Sequence, residues 1–113
     1  MEPRPDRRWT SATAERSTRT LFHQIALASF ALDRALDSGD GRTEMVREAR
    51  QALEAFDLLE RVTTDVVVPR EVRRRVRQAA DSLDCDHLEL ARADLGRAGG
   101  ELERWWQRGG TRA

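Results

Sequence analysis

The side chains best suited to chemistry meet at one point of the chain, "DCDH", where Asp84, Cys85, Asp86 and His87 supply carboxylates, a thiol and an imidazole in a row. Such a cluster could begin a metal site, or present a thiolate activated by a helix start. A structural zinc needs a fuller set of Cys and His at defined spacing. The only other histidine, His23, stands in the N-terminal third with no partner beside it. A tight turn between two helices accounts for the same residues, with the aspartates as caps, His87 in a first turn, and Asp86 and Glu89 spaced as a variant capping box. Cys85 is the only cysteine, so no internal disulfide can form, and it reads as inert packing in a reducing compartment. Glu-x-x-His pairs, a nucleophile elbow, a P-loop and a dinucleotide fingerprint are all missing from the sequence. We therefore expect no catalytic residues, no metal and no cofactor, in a protein that is not an enzyme.

A second candidate chemistry is electrostatic. In "TTDVVVPREVRRRVRQAADSL", residues 63 to 83, five arginines fall between Arg70 and Arg77. At about 100° per residue, Arg70, Arg73, Arg74 and Arg77 share one arc beside a valine face, with Arg75 alone elsewhere. Such a stripe could contact phosphates and position a nucleic acid without reading its sequence. It could equally face acids of the same protein. Residues 33 to 65 hold five arginines against nine acids, residues 81 to 103 two against seven, and residues 66 to 80 five against one. A bundle would lay the basic segment beside two acidic ones, and no aromatic is interleaved on the stripe to stack a base. Every one of the twenty cations is arginine, and lysine, asparagine and tyrosine are absent, which we read as the imprint of a GC-rich genome. Many of these arginines stand where lysines would otherwise sit on a solvated helix. We expect the stripe to be mainly a bundle wall, with phosphate contact by the four arginines, aided by Arg4, Arg7 and Arg8, as the alternative.

The elements that must position these groups follow from periodicity. The chain has 113 residues, enough for one modest core, and its charges balance at twenty of each sign, so no net field favours nucleic acid or an anionic membrane. Residues 1 to 11, with two prolines and three arginines, read as a flexible basic arm on which Trp9 is the one residue expected to dock. A first helix runs from about Ser11 to Leu36, with Leu21, Ile25, Ala28, Leu32 and Ala35 at alternating spacings of four and three. A second spans about Thr43 to Val62 and a third Pro69 to Leu83, with the proline in its first turn. The fourth runs through Leu88, Leu95, Leu102 and Trp105. Gly99 and Gly100 inside it imply a kink or a close backbone approach, and residues 109 to 113 read as a disordered tail. No other segment could pair with the three valines as a strand. The expected fold is all-α, an antiparallel four-helix bundle over residues 12 to 108.

Two surfaces are left over. Leu27, Phe30 and Ala31 point away from the core line of the first helix, and Trp105 and Trp106 cannot both face one core. We expect a protein partner or a second copy to cover them, unless the N-terminal arm folds back to do so. The longest nearly uncharged stretch, "TLFHQIALASFAL", is too short to span a bilayer, and the N-terminus has no apolar signal-peptide region. Neither membrane insertion nor export is expected, which makes the cytoplasm the simplest location.

The segment "ALEAFDLLERVTTDVVVPREVRRRVRQAADSL" followed by "ELARADLGRAGGELE" resembles a family of small archaeal helical-bundle proteins with no established activity. In that family a helix ends in an acidic residue, a short run leads into Val-Pro-Arg, and a helix rich in Arg and Ala follows. Asp65, Val68, Pro69, Arg70, Val72, Arg73 and Ala79 carry the resemblance, which covers about residues 50 to 102. It implies a helical bundle and no particular function.

Overall fold

The computed structural model describes residues 7–38, 40–63 and 66–109, with side chains from Thr13 onward. The chain forms α1 (Arg7–Asp37), α2 (Arg42–Val62), α3 (Arg70–Asp84) and α4 (Leu88–Gln107), with no strand among the described residues. The expected all-α bundle is therefore what forms. Each helix turns its apolar stripe inward: Leu21, Ile25, Leu32 and Ala35 from α1, Ala49, Leu53 and Phe56 from α2, Val72, Val76, Ala79 and Leu83 from α3, and Leu88, Leu95, Ala98 and Leu102 from α4. Burial of this shared interior at about 25 cal/mol per Å² is what holds four marginal helices together.

The helices pair unequally. α1 lies along α2, α3 along α4, and α1 along α4, whereas α2 and α3 scarcely touch. The molecule is two helical hairpins joined along α1 and α4, with an open seam between α2 and α3. At 31 residues against 21, α1 runs about 15 Å beyond α2. Ala14 and Thr18 in its N-terminal half remain buried, and the Thr18 hydroxyl donates to the Ala14 carbonyl at 2.8 Å.

Several boundaries differ from the sequence expectation. α1 begins at Arg7, so residues 7 to 11 belong to a helix and not to an arm. The remainder of the expected arm, the side chain of Trp9 and most of the expected tail lie outside the described residues. Pro69 is the N-cap of α3, with φ −55° and ψ 141°, so its extended backbone stands just outside the helix. Of the three valines before it, Val66 and Val68 are buried and Val67 is exposed. That is the alternation of an extended segment plugging one end of the core.

The turn between α3 and α4 is a Schellman motif. Asp86 takes the left-handed position at φ 59°, its N–H donates to the Leu83 carbonyl, and the His87 N–H donates to the Ser82 carbonyl at 2.8 Å. The expected capping box is absent: His87 is the N-cap of α4 and makes no side-chain capping bond. Asp86 is committed to ending α3, which leaves it one residue too early to cap α4. Gly99 leaves α4 unbroken and faces α1, where Ile25 and Phe22 lie nearest.

Candidate functional site

Three surfaces gather the residues singled out above. The first is the α2–α3 seam, a cleft of about 500 Å³ with Leu53, Phe56, Val76 and Ala80 at its floor. Arg50 reaches Asp84 at 2.7 Å near one end, and Arg73 reaches Glu60 at 3.4 Å near the other. These pairs tie the two hairpins across a gap that apolar contact does not close.

The arginine stripe divides. Arg73 pairs with an acid of α2 as expected, while Arg74 turns back to Glu71 within its own helix. That hydrogen bond, reinforced by the positive charge of Arg74 and then Arg75, holds the Glu71 carboxyl below its usual range. Arg70 and Arg77 have no carboxylate within ion-pair distance among the described residues. Arg77 lines the seam with Arg50, Arg61 and Arg73 and with Glu54, Asp57, Glu60 and Asp84, so a polyanion entering there would meet four acids as well as four arginines. Arg75, which the wheel set apart, is the most integrated of the five. It lies at 3.5 Å from Asp94 of α4 and 3.6 Å from Glu71, with its side chain 21% exposed and that of Asp94 16%. The wheel missed it because it described only one face, whereas α3 has α4 on its other flank.

The second surface is the outer side of α1. Phe30 is 62% exposed and Leu27 44%, and the two line a shallow groove against α2 with Gln24, Arg34, Glu48 and Gln51. The Arg34 guanidinium sits 5.8 Å above the Phe30 ring centroid, a cation–π arrangement. Ala31, expected beside them, is buried at 3%. A bundle helix with two neighbours buries a wider arc than its central apolar line, and Ala31 falls on the α2 side of that arc with Ala52.

The third surface is the far end of α4. Trp105 is half-buried and packs against the core, and Trp106 is half-buried in a groove of about 440 Å³ between α1 and α4, with Phe22, His23 and Glu103. Phe22, absent from the expected interface, was legible only once α4 was known to lie beside α1.

The chemical cluster disperses. Cys85, Asp86 and His87 are all exposed on the turn, and no group of three His, Cys, Asp or Glu that could hold a metal gathers among the described residues. No helix among them is long and apolar enough to cross a membrane. The fold and these surfaces define an all-α bundle of two helical hairpins, open on one seam. The chain matches no protein-family model, no curated protein and no solved structure.

Proposed function

We propose that the chain is a non-enzymatic helical-bundle interaction module of the cytoplasm, which binds a protein partner or itself through the outer face of α1 and the tryptophan-bearing end of α4. The observation that carries this reading is Phe30. It is the most exposed large apolar side chain of α1 among the described residues, at 62%, with Leu27 next to it. Burying such side chains contributes about 1.5–3 kcal/mol each, and aromatic residues set in an apolar patch are typical anchors of interfaces. The resemblance of residues 50 to 102 to archaeal bundle proteins is compatible with this reading and adds no activity to it.

The nucleic-acid reading has less support, since Arg73 and Arg74 are paired with acids and the seam beside Arg77 carries as many carboxylates as arginines.

The test is purification of the tagged chain from its native cell, alongside a Phe30→Glu variant and a second, differently tagged copy. We expect a stoichiometric protein companion, either another chain or the second copy, to be lost on Phe30→Glu while the far-ultraviolet circular dichroism is unchanged. A salt-sensitive nucleic acid in place of a protein would favour the alternative.

A further inference from the structure

The outer face of α1 carries more than an apolar patch: its charges are arranged in order along the helix. Residues 7 to 20 hold four arginines and one acid, whereas residues 21 to 37 hold two aspartates and one arginine. This polarity runs against the helix macrodipole, which favours acids at the N-terminus and cations at the C-terminus. α1 has no acid in its first turn, and its last turn carries Asp37 beside one cation, Arg34. Arg16, Asp37 and Asp40 are exposed and make no ion pair among the described residues, and Arg19 contacts only Glu15 one turn away, with its side chain 80% exposed. Among the described residues, Glu15 beside Arg19, Arg34 in the last turn and Arg92 of α4, paired with Asp33 at 2.8 Å, offset this reversed order only in part.

At about 100° per residue, Arg16, Arg19, Leu27, Phe30 and Asp37 all fall on the half of α1 opposite its core line. The apolar pair sits near the middle, with Arg16 and Arg19 toward the N-terminal end and Asp37 and Asp40 toward the C-terminal end; Arg34, stacked over Phe30, and Glu15, paired with Arg19, share this half. A face of this pattern is self-complementary under a two-fold axis between Leu27 and Phe30. Turning a second α1 end for end lays Leu27 against the other copy's Phe30. It also brings Arg16 and Arg19 alongside Asp37 and Asp40 of that copy at both ends. The same rotation opposes the two macrodipoles, so charges that are unfavourable within one helix become favourable between two. α1 is the longest helix, and its flanks are already taken by α2 and α4, leaving this face unpacked among the described residues.

Resting on the reading of α1 as an interaction face, we infer that the partner is a second copy of this chain, docked through an antiparallel α1–α1 contact centred on Leu27 and Phe30, with its register set by Arg16 and Arg19 against Asp37 and Asp40.

Sedimentation equilibrium over a wide range of concentration tests this. The wild type should be a dimer and Phe30→Glu a monomer with unchanged helicity. Arg19→Asp alone and Asp37→Arg alone should each weaken the dimer about tenfold, because each change turns two attractions into repulsions. The double variant Arg19→Asp/Asp37→Arg should recover most of the wild-type affinity. A wild type that stays monomeric at the highest concentration overturns the second copy, while leaving the α1 face to another partner. A dimer indifferent to Phe30→Glu overturns the dimer proposal and the α1-face reading together. A dimer lost on Phe30→Glu, but in which the double charge variant recovers nothing over the two single ones, overturns the antiparallel register.

Discussion

Two arginines on α3 separate what a charge run does from what it resembles. Arg75 and Arg77 are two positions apart in "REVRRRVRQ" and chemically identical, yet their surroundings differ. Arg75 bridges Glu71 and Asp94 at the α3–α4 contact, where its side chain is four-fifths covered. Arg77 stands exposed at the seam with no ion pair among the described residues. Replacing Arg75 by glutamine leaves Asp94, largely covered, without its ion pair among the described residues, with only the more distant charge of Arg74 facing it. The expected cost is about 1–2 kcal/mol, between the values for exposed and buried pairs. Arg77→Gln should change stability by no more than about 0.5 kcal/mol. Urea denaturation of the two variants checks this, and equal effects would mean that the α3–α4 contact gains nothing from its ion pairs. The sequence made the density of arginine plain, and even the acids that would answer it. It did not reveal which arginine would be answered, because that depends on which flank of α3 receives α4.

At the scale of helices, α2 and α4 were legible almost to the residue, since an unbroken three-four alternation leaves little freedom in where a helix turns its face. The ends were less so. Two prolines and three arginines gave residues 1 to 11 the composition of an arm, yet residues 7 to 11 belong to α1. Asp86 matched a capping pattern, yet serves as the left-handed residue that ends the preceding helix, because a three-residue connection has to stop α3 before α4 can start. The glycines of α4 allowed two outcomes, a kink or a close approach, and the helix is unbroken with Gly99 facing α1. A Cβ at Gly99 would lie 3.6 Å from Ile25 Cγ2 and 3.8 Å from Phe22 Cε2, which is ordinary packing distance. Gly99→Ala should therefore add helix propensity and fill available space, raising stability by roughly 0.5–1 kcal/mol. A higher midpoint in thermal denaturation would confirm it. A lower one would mean that α1 and α4 approach more closely than an alanine allows.

For the molecule as a whole, the unequal pairing of the helices decides how it opens. The interior is continuous, but α2 meets α3 mainly through Arg50 with Asp84 and Arg73 with Glu60, all substantially exposed except Glu60. Such pairs are worth about 0–1 kcal/mol each and weaken with salt. Along the other three sides, apolar side chains interlock. Local opening draws on the contacts with the least buried apolar area, so the two hairpins should part at the α2–α3 seam more readily than the bundle unfolds. Thiol labelling in a Cys85→Ser background separates the two processes. Val76 and Leu95 are both buried, the first at the seam and the second on α4 away from it. A cysteine at Val76 should be modified faster than one at Leu95, and 1 M salt, which shortens the screening length to about 3 Å, should widen the difference. The Leu95 position should follow global unfolding, with a rate that moves in step with the loss of helicity in denaturant. Equal rates at both positions under all conditions would show four helices that open as a single unit, with the seam held by its apolar floor of Leu53, Phe56 and Val76 and not by the charges above it.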